Sequence, residues 1–240
     1  MKLLLPVLIL LCGNKLLAQP TAPAAENVVV HADSAVNAYY KFTSPRARLY
    51  NGREFIRYSP KLEGQPFYSD DELHRGTVIY DGMKYDSVNM QYDLVRDNLV
   101  IQHFDIYFKL VLVPEKLTEF SYIGHHFKRL VKDSVNKLPV ATGIYDFLHE
   151  GKITLFAKRT KRIEETVTDV IVQRVTEKNF YYIIKDDVYY PVKSYKGLLA
   201  VLKDRSREIR QELRRQKIKF RKDREGAIIK AVEFYDTPKN

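Results

Sequence analysis

The sequence predicts an α+β fold: a predominantly antiparallel β-sheet, an open or partly closed barrel or meander, followed by two or three C-terminal helices. Three observations predict it. From Gly76 onward apolar residues recur at every second position, as in strands with one wet face. Turn signals such as Asp81-Gly82 separate these runs. At Ser194 the apolar period lengthens to that of a helix, and strands first with helices last mean segregated layers.

Each element follows from a local pattern. Residues 34–42 fit one short helix, with Ser34 as N-cap and Tyr39, Tyr40 and Phe42 docking on the body. Over residues 49–68 the turn formers Asn51-Gly52, Ser59-Pro60 and Gly64-Gln65-Pro66 bracket short apolar runs. Thr77-Val78-Ile79-Tyr80, Asp81-Gly82 and Met83-Lys84-Tyr85 make a hairpin, because Asp-Gly supplies the positive φ angles of a type I′ turn. Val88, Met90, Tyr92 and Leu94 then alternate with Asn89, Gln91 and Asp93. After a turn at Arg96-Asp97-Asn98, one strand carries Phe104, Ile106, Phe108, Leu110 and Leu112 until Pro114 stops it. Further strands are expected over 120–123, 127–131, 144–148, 153–157 and 167–175, and a last hairpin pairs 180–184 with 188–192 around Lys185-Asp186-Asp187. Leu198, Leu202, Ile209 and Leu213 then share a narrow helical arc, with a break expected near Asp204. A final helix over 223–234 is expected to bury Ile228, Val232 and Tyr235.

The chain has 240 residues, 45% hydrophobic and 29% charged, a globular composition that argues against a disordered chain, a collagen-like repeat and a bundle of membrane helices. Its start has the layout of a secretory signal: Lys2, an apolar run over residues 3–12, then Gly13-Asn14-Lys15-Leu16-Leu17-Ala18-Gln19-Pro20. Such a run is too short to stay in a bilayer as a spanning helix, which takes about 20 apolar residues. Residues 1–19 are therefore expected to be removed, leaving 20–33 as a flexible N-terminus and 34–240 as one β-rich domain with helices from about 194. A hydrophobic N-terminus retained on the mature chain and lipidation of Cys12 are the other fates to weigh, although Leu11, not a small residue, precedes Cys12. Cys12 is the single Cys, so a disulfide scaffold is excluded, and loss of the signal removes thiol chemistry and cysteine metal sites with it.

Motifs for chemistry are missing. The chain has no Gly-x-Ser-x-Gly elbow, no His-Glu-x-x-His helix, no Gly-x-x-x-x-Gly-Lys phosphate loop and no Gly-x-Gly-x-x-Gly turn. The six His are His31, His74, His103, His125, His126 and His149. His125 and His126 are adjacent, so on a strand they point to opposite faces and do not share a metal easily. Ser69-Asp70-Asp71-Glu72 lacks the spaced pattern of a calcium loop and reads as a solvated acidic turn. Glu164 and Glu165 beside Lys158, Arg159, Lys161 and Arg162 read as an exposed turn with compensating charges. No catalytic residue, metal or cofactor is expected. Tyr80, Tyr85, Tyr92, Tyr107, Tyr181, Tyr182, Tyr189 and Tyr190 fall in expected strands, where sheet packing explains them; a Tyr-lined face for sugar or lipid is the alternative.

Charge is the sharper signal. The formal net charge is +10, and residues 203–224 hold eleven basic and four acidic side chains, leaving the rest of the chain near neutral once the signal is gone. Lys203, Arg207, Arg210, Arg214 and Lys217 follow steps of four and three along one helical edge, while Asp204, Glu208 and Glu212 take the opposite flank. Such an edge either serves as a solvated face or attracts an anionic partner with salt-sensitive strength. Nucleic acid is not expected for an exported chain without a nucleic-acid motif; lipid headgroups, lipopolysaccharide or an acidic protein fit better.

The run Tyr50-Asn51-Gly52-Arg53-Glu54-Phe55, the stretch 76–93 with Tyr80-Asp81-Gly82, Tyr85 and Tyr92-Asp93, and the segment Lys219-Phe220-Arg221-Lys222-Asp223 resemble a group of uncharacterised exported proteins of Bacteroidota-type Gram-negative bacteria. That resemblance covers most of the mature chain and implies no activity, because its motifs are turn and strand residues. In architecture the pattern also resembles the open half-barrel of lipoprotein carriers. The expected function is thus an exported, non-enzymatic binding or accessory protein of the periplasm or outer envelope. The alternative is a carrier of lipid or lipoprotein with an apolar cavity between sheet and helices, lined by Val88, Met90, Phe104 and Ile106.

Overall fold

In the computed structural model, which describes residues 36–39, 48–103, 107–132, 139–167 and 171–238, the alternating segments pair into a single sheet. Its strands are β1 (Arg53–Glu54), β2 (His74–Tyr80), β3 (Met83–Asp93), β4 (Asn98–Gln102), β5 (Lys109–Val111), β6 (Leu117–Tyr122), β7 (His125–Leu130), β8 (Gly143–Glu150), β9 (Thr154–Val167), β10 (Ile171–Lys185) and β11 (Val188–Val192). The hydrogen-bonded order is β1-β5-β4-β3-β2-β6-β7-β8-β9-β10-β11, every neighbour antiparallel, and the sheet stays open between β1 and β11. Helices follow: α1 (Tyr195–Val201), a 3₁₀ turn at Lys203–Arg205, α2 (Ser206–Arg215) and α3 (Arg224–Asp236). The α+β class with C-terminal helices is what the sequence predicts. Of the short helix expected over 34–42, residues 36–39 are helical and the rest lies outside the described residues, as do the signal segment, residues 20–33 and Cys12.

The turns explain the register. Asp81 and Gly82 take φ of 52° and 75°, and Asp186 and Asp187 take 51° and 58°, so both tight hairpins use the left-handed pair that matches strand twist. Near Gly76 the β2–β3 register shifts, and a Cβ there would run into the Ser121 carbonyl oxygen of β6, so glycine permits this close approach.

Two expectations are corrected. The single strand over 104–112 is replaced by β4 and the short β5, with residues 104–106 outside the described set. Leu99, Val100 and Ile101 are consecutively buried, so β4 carries apolar residues on both faces and shows no alternation to read. The charged stretch after Ala157 is no exposed turn: β9 continues through it to Val167 and pairs with β10 over its whole length. Arg159 and Lys161 sit on the face that also carries Leu155 and Ala157, and both are buried.

Register places one residue from each of seven neighbouring strands on that face: Val78, Phe120, Phe127, Asp146, Ala157, Tyr181 and Val192. On one side of Asp146 the core is aromatic, with Phe120 stacked on Phe127 at 4.8 Å and Tyr92 edge-on to Phe127 at 5.1 Å. On the other side the helices close the sheet: Leu198, Leu202, Ile209, Leu213, Ile228, Ala231 and Val232 pack with Leu155, Ala157, Tyr181, Ile183 and Val192. All four members of the expected arc, Leu198, Leu202, Ile209 and Leu213, are therefore core residues, as are Ile228 and Val232, whereas Tyr235 is half-buried.

Candidate functional site

The basic region acquires shape through the end of α2. The Ile218 amide donates to the Leu213 carbonyl at 2.9 Å and the Lys217 amide to the Arg214 carbonyl at 3.0 Å, while Lys217 takes the left-handed φ of 58°. These bonds satisfy the last carbonyls of the helix and reverse the chain. Residues 218–222 thereby run back beside the Arg210–Arg214 side of α2, and the start of α1 forms the third wall. The result is an open cleft of about 760 Å³. Its cations are Lys193 and Lys196 before and in α1, Arg210 and Arg214 on α2, and Lys219, Arg221 and Lys222 on the return segment. Ser194, Tyr195, Leu213, Ile218 and Phe220 complete the lining, with the Tyr195 and Phe220 rings 5.6 Å apart. No acidic side chain lines it.

Two of the five expected edge residues, Arg210 and Arg214, line this cleft; Lys203, Arg207 and Lys217 are exposed on the same helical segment outside it. The acids on the opposite flank are each engaged elsewhere. Asp204 accepts from Lys185 Nζ at 2.7 Å and from the Tyr235 hydroxyl at 2.7 Å, Glu208 from Arg205 Nε at 2.9 Å, and Glu212 from Arg215 at 2.7 Å. Burial acts to raise the Asp204 pKa, but the hydrogen bonds from Lys185 and Tyr235 prevail and hold it at about 2. Glu212 is lowered by its bonds to Arg215 and Gln216. Among the described residues, none of the seven cleft cations forms an ion pair. Lys219, Arg221 and Lys222 belong to the basic segment in the sequence, but nothing local links them to Lys193 and Lys196. The alternation of Lys217, Lys219 and Arg221 with Ile218 and Phe220 was the available signal.

The helical layer that carries the cleft is anchored to the sheet by charge through α3. Arg159 of β9 donates from Nε and Nη2 to Asp146 at 3.0 and 2.7 Å and from Nη2 to Glu225 of α3 at 2.9 Å; its Nη1 also bonds Glu225. The Tyr181 hydroxyl donates to Glu225 at 2.8 Å, and His125 Nδ1 lies 2.9 Å from Asp146. Burial acts to lower the Arg159 pKa, yet the bonds to Glu225 and Asp146 prevail and raise it above its ordinary value. For Glu225 burial acts upward, and Arg159 and Tyr181 bring it below the usual range. Asp223 caps α3 by accepting from the Gly226 amide at 2.8 Å, and Arg224 donates to the Val192 carbonyl at 2.6 Å, next to Lys193. Arg205 Nη1 donates to the carbonyls of Phe234, Tyr235 and Thr237 at 3.0, 2.9 and 2.6 Å, tying the start of α2 to the end of α3.

Other candidate groups are scattered. His125 and His126 face opposite sides, the latter near Glu119 and Glu150, and no cluster of three or more metal-ligating side chains occurs among the described residues. Asp70 accepts from the His74 ring at 2.7 Å and from the Glu72 amide at 3.0 Å. The Tyr residues do not form one face: Tyr80, Tyr92 and Tyr181 are buried, Tyr182 stacks on Phe156 at 5.3 Å on the opposite face, and Tyr107 is exposed. Val88 and Met90 belong to the packed core, and Phe104 and Ile106 lie outside the described residues. Among the described residues no helix is long and apolar enough to cross a membrane. The comparisons with family models, curated proteins and solved structures find no match for this chain.

Proposed function

We propose that this chain is an exported, non-enzymatic binding or accessory protein of the Gram-negative periplasm or outer envelope, and that it engages an anionic envelope component through the basic cleft. The observation that carries the reading is the concentration of seven cations around one concavity without a carboxylate in its lining. Like charges gathered around one concavity repel, and no carboxylate of the lining offsets them, whereas Lys158, Arg174 and Lys185 elsewhere in the fold have the acidic partners Asp97, Glu63 and Asp204. An anionic partner supplies the missing counter-charge and gains affinity from every cation it neutralises. Export is supported by Lys2, the apolar run and the segment Gly13 to Pro20 that follows it, with Ala18 near the expected cleavage point. Resemblance to exported Bacteroidota-type proteins points to the same compartment.

Retention on a polyglutamate resin tests the charge reading. The variant carrying Arg207→Gln, Arg210→Gln and Arg214→Gln should elute at clearly lower salt than the parent chain. A variant losing the same charge at the exposed Arg53, Arg57 and Arg75 should elute near the parent. Equal elution of all three proteins would remove the cleft from consideration.

A further inference from the structure

We infer that the occupant of the cleft is the phosphorylated headgroup of an anionic lipid displayed on a bilayer, with the aromatic and aliphatic wall resting at the acyl boundary. The inference rests on the anionic-partner reading and adds the chemical class of the partner. Two properties of the lining select it. First, the charge comes from three separate chain segments and from exposed side chains, all flexible Lys and Arg stems. A stereospecific site for one small anion uses a few ordered donors, whereas a layer of headgroups is met by many mobile cations, each worth a similar increment. Lys203, Arg207 and Lys217 continue the positive surface beyond the cleft, so it is broader than one headgroup.

Second, the cations are interleaved with apolar surface. Tyr195 and Phe220 are half-buried rings 5.6 Å apart, and the half-buried Ile218 lines the same concavity above the core residue Leu213. A hydrated polyanion gains nothing from such a wall. A lipid satisfies both parts at once, because its phosphate meets Arg210, Arg214 and Lys219 while its glycerol and first methylenes cover the rings. Tyr at the boundary between polar and apolar layers suits this placement.

Co-sedimentation of the full chain with vesicles tests the inference. Vesicles of phosphatidylcholine containing a minor fraction of phosphatidic acid should bind the chain, and pure phosphatidylcholine vesicles should not. Each Lys or Arg near an anionic surface contributes about fivefold to partitioning, so Arg210→Gln with Arg214→Gln should weaken binding roughly 25-fold. Both side chains are exposed and without ion pairs among the described residues, so thermal unfolding of this variant should match the parent and show that folding is intact. Glycerol phosphate at matched concentration should compete poorly, since it lacks the apolar part. Retention on polyglutamate without vesicle binding would overturn the lipid class and leave an acidic protein as partner. Failure to bind either would overturn the anionic reading with it. An equal loss of vesicle binding when Arg53, Arg57 and Arg75 are neutralised would also overturn the inference, by making net charge sufficient.

Discussion

Arg159 shows how much one residue decides. It is 5% exposed, and it joins the fully buried Asp146 of the sheet to Glu225 of the last helix. Two carboxylates and one guanidinium, with Tyr181 and His125 at the ends, make an assembly in which removal of the cation leaves buried negative charge uncompensated. Arg159→Met should therefore lower stability by about 3–5 kcal/mol in urea unfolding. Adding Asp146→Asn and Glu225→Gln should recover a large part of that loss, because the desolvated charge is then gone. A small effect of Arg159→Met alone would mean that water reaches Asp146. Lys161 extends the same face, donating to the carbonyls of Gln65 and Phe67 at 3.1 and 2.6 Å, so the loop ahead of β2 is also held by a buried cation.

At the scale of elements, the break between α1 and α2 is built as well as visible in sequence. Asp204 lies in the 3₁₀ turn and is tied to Lys185 at the end of β10 and to Tyr235 of α3, so one carboxylate fixes the turn against sheet and helix. Its folded pKa is depressed from 3.8 to about 2, and the sign follows: the stabilisation is complete above 3.8 and is lost as pH falls through about 2. Acid titration of stability should show a limb in that window, and Asp204→Asn should flatten it. An unchanged limb in the variant would assign acid lability to other carboxylates. The hairpin of β9 and β10 is the opposite case. Its length was hidden because five charged residues between Ala157 and Glu165 look like a turn, yet their faces alternate between interior and solvent.

For the whole molecule, the sheet is covered unevenly. Helices lie over Leu155, Ala157, Tyr181 and Ile183, and without them that surface would face water. A chain ending after Val192 should bind a hydrophobic dye and lose its cooperative thermal transition; a sharp transition would show that the β2–β8 core folds alone. The same helical layer carries the basic cleft, so the covering element and the proposed lipid-facing element are one. This arrangement places the positive surface on the side of the helices turned away from the sheet core, since Ile209 and Leu213 point inward while Arg207, Arg210 and Arg214 are exposed.

The class, most strands, the Asp81-Gly82 and Asp186-Asp187 turns, the inward arc of the helices and the local concentration of positive charge are all legible in the residues alone. Each is a short-range property: a period of two or 3.6, or a residue that tolerates positive φ. Long-range packing made Arg159 and Lys161 interior, tied Asp204 to Lys185 and Tyr235, and joined Lys193 and Lys196 to Arg210, Arg214 and the 219–222 segment around one concavity. Those outcomes depend on which distant segments pair. A charged residue on a strand reads alike in sequence whether its face meets water or Asp146, and the register across β8, β9 and β10, with the docking of α3, makes that choice.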